Sequence, residues 1–461
     1  MPAGLLRDAI GAYHDLLTDE LAAESQDQLD DQLRRRGLFF GTRPLCTVLR
    51  PRLLTPEQYA FLRARLRMVL RSFDTAHRAA LEDSGVRAQF GLEGWEEELL
   101  QHDPGFHESS PTGRLDIFFD TENNELRVVE FNAETPAGQA YTDVLTEVFY
   151  GLPVMRAFSR RYEARPLPAR PGLLHSLLGA YEQWASGASS RPRMAILDWR
   201  EVPTYSEFTL IAEYAHSQGL ECVIADPRDV EYRDGALLVE GAPVTLIYKR
   251  VLLSELVERT GLDSPVMRAV RDHAVCMVNP FRCKLLHKKA SLAVLSDERN
   301  AGLFSAEERQ AIEAHIPWTR RVEDRRTLYH GETVDLLPFC ADQRERLVLK
   351  ANDEYGGKGI VLGWETQPEE WERALQVALD KSAEPAATSV VQERVGVPTE
   401  PYPSMVDGQL RIADRFVDTD PFICGGSYMD GCLTRLSTAA LLNVTAGGGS
   451  TAPAFVVEPR E

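Results

Sequence analysis

The sequence predicts a mixed α/β protein, part α+β and part α/β, with a mainly helical N-terminal region. Residues 1 to about 105 carry apolar side chains at helical spacing, and in LTPEQYAFLRARLRMVLRSF a helix start signal begins at Thr55. Residues 193–250 alternate short apolar runs with a helical segment, which is typical of a parallel sheet covered by helices. Residues 113–138, between these parts, predict a β-hairpin.

Size and composition set limits on the class of protein. A chain of 461 residues exceeds the size at which single cores stop growing, so we expect two or three packed domains. The net charge of −19 argues against nucleic acid or an anionic membrane as the main partner, although a local basic cleft for nucleotide phosphates is compatible with it. The cysteines form no CxxC pair, and neither a signal peptide nor a membrane-length apolar run is recognised. We therefore expect a cytoplasmic protein of unspecified oligomeric state.

The hairpin gathers polar residues on one face. Along LDIFFD and LRVVEFN polar and apolar residues alternate, as in strands with two different faces. The polar face is expected to carry Arg114, Asp116, Glu130 and Asn132. The opposite face is expected to carry Leu115, Ile117, Val129 and Phe131. A turn centred near Asn123 would place Asp116 opposite Glu130 and Arg114 opposite Asn132.

Two carboxylates directly across a strand pair repel each other, and a cation would relieve the repulsion. The oxygens of Asp116, Glu130 and Asn132 are hard ligands, too few for a calcium cage but suited to Mg²⁺ that takes its other ligands from water and phosphate. Arg114 would then face a phosphate oxygen. The alternative is a solvated hairpin face with ordinary surface charges.

The segments after the hairpin follow in order. AYTDVLTEVFYGLPVMRAFSRRY predicts a helix, the Pro- and Arg-rich ARPLPARPG a linker, and LLHSLLGAYEQWAS another helix. MAILDW and ECVIAD predict strands on either side of the helix EFTLIAEYAHSQG, and ALLVEGAPVTLIYKR predicts two more strands. No GxGxxG follows the first strand, so a dinucleotide site is not expected there.

Residues 251 to about 326 again predict helices. In CKLLHKKASLAVLSDERN, Lys284, Lys288 and Lys289 lie just before or on an otherwise apolar helix. By themselves these lysines indicate a solvated basic rim.

A glycine-rich loop follows in RERLVLKANDEYGGKGIVLGWE, between two predicted strands. Gly356, Gly357 and Gly359 would let the backbone approach a ligand, and successive amide groups can form an anion-binding concavity. Lys350, at the end of the first strand, could reach a phosphate, although the pattern GxxxxGK[ST] is absent.

The last part of the chain predicts a helix and further strands. After the helix PEEWERALQVALDKS, SVVQERV predicts a short strand that carries Gln392 and Glu393. The tail again predicts strands, with Arg435 among them. Its glycine run at 447–449 is expected to form an ordered or ligand-ordered loop, because residues typical of strands follow it.

Several features together resemble the ATP-grasp enzymes, in which the nucleotide lies between two α+β subdomains. They are the hairpin with its Arg, Asp, Glu and Asn residues, the lysines, the Gly-rich loop, here called the flap, and the strand that carries Gln392 and Glu393. Ordinarily the flap precedes the acidic metal strands, whereas here RLDIFFD and VVEFNAETPAG come well before VLKANDEYGGKGIVLG. This order is similar to the circularly permuted ATP-grasp group, which includes glutathionylspermidine synthetase. The resemblance covers most of residues 110–461 and implies a circularly permuted ATP-grasp fold with a pre-ATP-grasp α/β unit.

The resemblance also implies roles for individual residues. The implied Mg²⁺ ligands are Asp116, Glu130 and Asn132. The implied catalytic residues, near the transferring phosphate, are Arg114 and Arg435. The implied nucleotide-binding residues are Lys289, with Lys288 as the alternative, and Lys350, Gly356, Gly357, Gln392, Glu393, Val395 and Gly448.

The resemblance divides the chain into five parts. These are a mainly helical N-terminal region (1–110), the metal-binding part of the ATP-grasp core (111–190), the pre-ATP-grasp α/β unit (191–282), the lid and nucleotide subdomain (283–395) and C-terminal strands that close the core (396–461).

By this resemblance, the protein is an ATP- and Mg²⁺-dependent carboxylate–amine ligase. Such an enzyme forms an amide or peptide-like C–N bond through an acyl phosphate and releases ADP and phosphate. Its partners would be a small carboxylate and a small amine, such as an amino acid, a peptide or a polyamine. Two alternatives stay open: a non-catalytic nucleotide-binding regulatory protein, and an ATP-dependent kinase on the same fold.

Overall fold

A computed structural model describes residues 2–187, 191–354, 356–381, 388–438 and 449–460. The helices are α1 (Pro2–Leu16), α2 (Asp19–Arg35), α3 (Pro56–Glu82), α4 (Ser84–Arg87), α5 (Gly94–Leu99), α6 (Gln139–Gly151), α7 (Pro153–Phe158), α8 (Arg170–Trp184), α9 (Tyr205–Ser217), α10 (Leu253–Thr260), α11 (Pro265–Arg271), α12 (Lys284–His287), α13 (Ala290–Ser296), α14 (Ala306–His315), α15 (Leu336–Asp342) and α16 (Pro368–Lys381). Short 3₁₀ segments span Ala88–Phe90, Pro227–Asp229, Phe281–Cys283, Glu298–Leu303 and Arg344–Arg346.

The strands are β1 (Phe39–Phe40), β2 (Arg43–Pro44), β3 (Arg52–Leu54), β4 (Thr112–Asp120), β5 (Glu125–Asn132), β6 (Tyr162–Pro166), β7 (Met194–Leu197), β8 (Cys222–Ala225), β9 (Glu231–Arg233), β10 (Ala236–Val239), β11 (Ala242–Val244), β12 (Leu246–Lys249), β13 (Cys276–Val278), β14 (Thr319–Arg321), β15 (Arg326–Tyr329), β16 (Glu332–Asp335), β17 (Leu347–Ala351), β18 (Ile360–Leu362), β19 (Ser389–Glu393), β20 (Thr399–Val406), β21 (Gln409–Val417), β22 (Asp420–Cys424), β23 (Tyr428–Ser437), β24 (Ser450–Ala452) and β25 (Ala454–Pro459). The protein therefore has the mixed α/β composition that the sequence predicts.

Two sheets enclose the region that carries the candidate site. One has the order β20–β21–β23–β22–β4–β5, with β24 added to β23, so it joins the hairpin to strands near the C-terminus. The other has the order β14–β19–β17–β18. In the hairpin, Arg114 lies opposite Asn132 and Asp116 opposite Glu130, which confirms the predicted register.

A β-bulge in the hairpin changes the predicted faces. The register shifts by one residue immediately after Asp116, so that Ile117 lies opposite Val128. Val128 is fully buried in the core, whereas Val129 lines a cavity between the two sheets. The prediction that Val129 takes the apolar face was therefore wrong, because an extra residue in one strand reverses the side-chain alternation beyond it.

The predicted α/β unit is confirmed as a parallel sheet with the order β13–β12–β7–β8. The run predicted as two strands forms three, because β10 and β11 make an antiparallel sheet with β9 before β12 begins. Asn279, just after β13, ties this unit to the hairpin. Its Nδ2 donates to the carbonyl oxygens of Thr112, Ala133 and Glu134, at 2.7, 2.8 and 3.0 Å.

The N-terminal region is mainly helical, as predicted. Thr55 caps α3, because its Oγ1 accepts from the Gln58 amide at 3.3 Å and its own amide donates to Gln58 Oε1 at 2.9 Å. The buried face of α3, including Leu66 and Phe73, shares one hydrophobic core with Ile117 of the hairpin. Within the described ranges, no helix is long and apolar enough to cross a membrane.

Residues 164–172 are not a linker, contrary to the prediction. Their first part belongs to β6, which pairs with β25 so that Ala164 lies opposite Val457, and their last part begins α8. Pro166 ends its strand and Pro171 occupies the first turn of its helix. Proline is tolerated at both positions because neither requires its missing N–H group, so these prolines did not indicate a linker.

Candidate active site

A cavity of about 380 Å³, the size of a small-molecule site, lies between the two sheets. Its walls contain most of the residues singled out in the sequence, namely Arg114, Asp116, Glu130, Asn132, Lys350, Gly356, Gly357, Gln392, Glu393, Val395 and Arg435. Lys289 adjoins this set through its contact with Glu130. Gly448, also singled out, lies outside the described residues.

Asp116 is the centre of the charged end of the cavity. It accepts hydrogen bonds from Arg114 Nε at 2.8 Å, Asn132 Nδ2 at 2.7 Å and Arg435 Nη2 at 2.7 Å. Burial alone would raise the pKa of Asp116, but Arg114 and Arg435 outweigh burial and lower this pKa to about 2. The side chain is therefore an anion at neutral pH and holds two guanidinium groups together.

Glu130, across the hairpin from Asp116, faces a lysine. Lys289 Nζ lies 3.3 Å from Glu130 Oε1 and donates to the main-chain oxygen of Glu354 at 2.5 Å. Burial would raise the pKa of Glu130, but Lys289 reverses the direction, and the net shift is downward. Of Lys288 and Lys289, the two lysines considered from the sequence, Lys289 is the one that contacts Glu130 in the cavity lining.

Arg435 has two further carboxylate partners that the sequence analysis missed. Its main-chain N–H and its Nε donate to Asp418 Oδ1 and Oδ2, each at 2.6 Å, and its Nη2 lies 2.9 Å from Asp420 Oδ2. Both aspartates line the cavity. The alternation Asp-Thr-Asp in VDTDPF was the available signal, since it repeats the spacing by which Arg114 and Asp116 share a strand face.

Lys350 lies on β17 of the opposite sheet and lines the cavity. Its Nζ donates to Gln392 Oε1 at 2.7 Å and to the Val129 carbonyl at 3.3 Å, and Gln392 Nε2 donates to Thr319 Oγ1 at 3.1 Å. Burial lowers the pKa of Lys350. The nearby negative charge of Glu130 offsets part of this effect, and the pKa of Lys350 is about 8. The ammonium group is thus still charged at neutral pH but loses its proton more easily than an exposed lysine.

The other end of the cavity is largely apolar. Its lining includes Val348, Ile360, Leu362, Trp364 and Val397. The Arg394 guanidinium lies 4.3 Å from the Trp364 ring centroid, and Glu393 accepts a 2.7 Å hydrogen bond from the Tyr329 hydroxyl. Trp364 and Arg394 were also missed, because nothing local in the sequence distinguishes them from ordinary surface residues. An apolar end next to a charged end suits a ligand with a flat ring and an anionic tail.

The donor set at the charged end fits a hard divalent cation. Within the described part of the chain, no group of three or more His, Cys, Asp or Glu side chains is placed to hold a metal by itself. Asp116, Glu130 and Asn132 instead offer two carboxylates and one amide around one strand pair. This set matches Mg²⁺, which keeps several waters and takes further ligands from substrate phosphates.

A buried charged network lies beside the cavity. Lys284 Nζ lies 2.8 Å from Asp353 Oδ1 and 3.3 Å from Glu134 Oε2. Lys288 Nζ lies 3.1 Å from Asp353 Oδ2 and 2.8 Å from Glu96 Oε2. The prediction of a solvated basic rim was therefore wrong. Lys284 and Lys288 are buried and form ion pairs with carboxylates from distant parts of the chain. Lys288, the alternative nucleotide lysine, has its contacts in this network.

No protein-family model matches the chain. A protein of Frankia casuarinae with the provisional name glutamate–cysteine ligase 2-2 is 26% identical over an alignment of 348 positions, which covers 70% of this chain. The chain spans only about a third of the length of that curated relative, 36%.

Two solved structures are similar to the protein. A glutathione synthetase-like effector from Globodera pallida, in its apo form, gives a TM-score of 0.63 at 12% identity and covers 96% of this chain and 99% of that one. The provisionally named γ-glutamylcysteine synthetase of Methylobacillus flagellatus KT gives a TM-score of 0.42 at 12% identity, with 83% and 86% covered. The likeness to the effector shows a shared fold.

Proposed function

We propose that the protein is an ATP-dependent ligase that joins the carboxyl group of one small molecule to the amine of another. The observation that carries this proposal is one cavity in which a charged end, built around Asp116 and Arg435, adjoins a largely apolar end that contains Trp364. A nucleoside triphosphate has the same division, with a flat base and an anionic tail. The base would lie near Gln392 and Val395 and the phosphates near Asp116.

We also propose the circularly permuted ATP-grasp fold. The hairpin β4–β5, which carries the proposed Mg²⁺ ligands, precedes the Gly-rich loop between β17 and β18 in the chain. Residues of both segments nevertheless line one cavity. The glutathione synthetase-like fold of the similar effector supports this proposal.

Mg²⁺ would be held by Asp116, Glu130 and Asn132, and when bound it would neutralise phosphate charge. Arg114 and Arg435 flank the same carboxylate and would contact oxygens of the γ-phosphate. Lys289 and Lys350 would contact the remaining phosphates. Phosphoryl transfer depends mainly on such positioning and charge stabilisation.

The proposed reaction has two steps. An oxygen of the substrate carboxylate attacks the γ-phosphorus in line, and ADP leaves with the electron pair of the broken P–O bond. The amine then attacks the acyl carbon, phosphate leaves with the electron pair of the C–O bond, and the nitrogen loses one proton. The acyl phosphate must be kept from water, and the Gly-rich loop at Gly356 and Gly357 would cover it.

Amino acids and short peptides are the first substrates to test, because the curated relative is named for joining glutamate and cysteine. Polyamines should be included, since glutathionylspermidine synthetase belongs to the permuted group that the sequence resembles. ADP and phosphate release with Mg·ATP should be measured for pairs of these compounds, with Glu130→Gln as the inactive control. Release that needs a matching pair supports the ligase. Mg·ATP binding without release would favour a nucleotide-binding protein, and a stable phosphorylated product would favour a kinase.

A further inference from the structure

The Gly-rich loop between β17 and β18 is held firmly at its beginning. The main-chain oxygen of Asn352 accepts from the Lys289 amide at 2.9 Å, and its Oδ1 accepts from the Ala290 amide at 2.8 Å. Its Nδ2 donates to the Phe90 carbonyl at 2.9 Å, and the residue is 1% exposed. The first residue of the loop is therefore fixed by two different elements.

The next residue, Asp353, is held by charge. Its two carboxylate oxygens contact Lys284 at 2.8 Å and Lys288 at 3.1 Å, and both lysines are buried. Burial would raise the pKa of Asp353, but the two lysines outweigh burial and the net shift is downward. The carboxylate is therefore ionised, and residues 284–290 hold both Asn352 and Asp353.

Asp353 also completes the charge balance of the buried network. The cations of this network are Lys249, Lys284 and Lys288, and its anions are Glu96, Glu134 and Asp353. Burial lowers the pKa of His287, which lies in the same network, to about 4, so this imidazole is neutral at pH 7. Loss of one carboxylate would leave a net positive charge in a buried place.

The second half of the loop has a different character. Gly356, Gly357 and Gly359 have φ angles of 64°, 81° and 67°, in the left-handed region where glycine is favoured. Gly356 and Gly357 line the cavity, and the Ala351 amide donates to the Gly359 carbonyl at 3.1 Å, which closes the base of the loop. The loop thus has a fixed start and a glycine tip at the cavity wall.

We propose that Asp353 is a positioning residue for the triphosphate. Its carboxylate, held between Lys284 and Lys288, fixes the start of the loop so that the backbone of Gly356 and Gly357 stands at the cavity wall before nucleotide binds. Asp353 is not one of the described residues that line the cavity, so its proposed effect on the nucleotide is transmitted by the loop. This inference rests on the proposed nucleotide-dependent function.

The test compares Asp353→Asn with the charge-balanced double variant Asp353→Asn/Lys288→Met. The double variant restores neutrality to the buried network but leaves the loop without its carboxylate anchor. We expect Asp353→Asn to weaken Mg·ATP binding roughly tenfold. This is the lower end of the effect seen when a residue that orients the direct ligands of a metal ion is replaced. Adenosine binding, which involves no phosphate, should not change. The double variant should regain part of the thermal stability that Asp353→Asn loses, although Glu96 stays without its Lys288 contact, and it should not regain Mg·ATP affinity.

Each outcome is informative. Wild-type Mg·ATP affinity in the folded double variant would overturn the positioning role, because neutrality alone would then be sufficient. An equal loss of adenosine and Mg·ATP binding in both variants would also overturn it, since the carboxylate would then be supporting the whole cavity. If the unaltered protein binds neither Mg·ATP nor adenosine, the proposed function itself fails, and the inference fails with it.

Discussion

Arg435 donates a 2.7 Å hydrogen bond from Nη2 to Oδ2 of Asp116, a residue 319 positions away in the sequence. The two side chains come from strands β23 and β4, which are separated in the sheet by β22. Asp116 also accepts from Arg114 at 2.8 Å, so one carboxylate holds two guanidinium groups at the same end of the cavity. This arrangement fixes two guanidinium groups at the end of the cavity where we propose that the phosphate is transferred, and it pairs them with carboxylates.

Asp116→Asn and Glu130→Gln should each abolish ATP turnover while the protein stays folded. Both changes remove a negative charge from the proposed Mg²⁺ site but keep the shape of the side chain. ADP release should be measured together with the circular dichroism spectrum. Glu122→Gln, an exposed change in the turn of the same hairpin, is the matched control and should have no effect. Undiminished turnover in either site variant would show that the metal assignment is wrong.

Lys289→Ala and Lys288→Ala should have different effects although the residues are adjacent. Lys289→Ala should weaken Mg·ATP binding by about 1.5–3 kcal/mol, the value of a hydrogen bond to a charged group. Lys288→Ala should lower the free energy of unfolding by about 3–5 kcal/mol, because it leaves the buried Glu96 and Asp353 short of a cation. Calorimetric titration and urea denaturation separate the two effects. A stable Lys288→Ala variant that loses more Mg·ATP affinity than Lys289→Ala would reverse the assignment.

Lys350 should make Mg·ATP binding dependent on pH. Its pKa of about 8 means that the free protein loses this charge as the pH rises through 8, and a neutral amine attracts phosphate weakly. Affinity should therefore fall above pH 8, by at most about tenfold per pH unit. Lys350→Arg stays charged and should flatten this dependence, and Lys350→Ala should weaken binding already at neutral pH.

Lys358→Ala is the control for this prediction, because Lys358 lies between Gly357 and Gly359 in the same loop and is exposed. Affinity that rises with pH, or a greater loss in Lys358→Ala than in Lys350→Ala, would show that Lys350 is not the phosphate contact.

Glu134→Gln should destabilise the fold by about 3–5 kcal/mol, because Lys249 and Lys284 would lose their shared buried carboxylate. Burial would raise the pKa of Glu134, but Lys284 and Lys249 hold it far below its usual range. A carboxyl whose pKa is lower in the folded than in the unfolded state stabilises above its unfolded pKa, about 4.3, and this contribution is lost as the pH falls. The difference between wild type and variant in urea denaturation should therefore shrink on acidification. A difference that grows at low pH would contradict this charge assignment.

Local patterns predicted the elements of this fold and much of the candidate site. Alternation and a turn signal were sufficient for the hairpin register, which brings Asp116 opposite Glu130. The capping signal at Thr55 marked the start of the longest described helix. These features depend on residues in one continuous stretch of the chain, so the sequence carries them directly.

Features that depend on long-range packing could not be predicted in this way. The bulge that turns Val129 toward the cavity changes one strand without a local marker. The sequence around Lys284 and Lys288 is typical of exposed lysines. Their buried partners Glu134 and Asp353 come from distant parts of the chain and are therefore not evident from the local pattern. Asp418 had the right strand spacing, but only its contact with Arg435 distinguishes it from a surface acid.

The central claim is that ATP activates a carboxylate as an acyl phosphate. Once a productive substrate pair is known, the reaction should be run with ¹⁸O in both oxygens of the substrate carboxylate, and the released phosphate analysed by mass spectrometry. The proposed reaction requires one labelled oxygen in each phosphate, because the carboxylate oxygen that attacks the γ-phosphorus leaves with it when the amine takes the acyl group. Unlabelled phosphate from a coupled reaction, or phosphate retained on a stable product, would contradict the ligase.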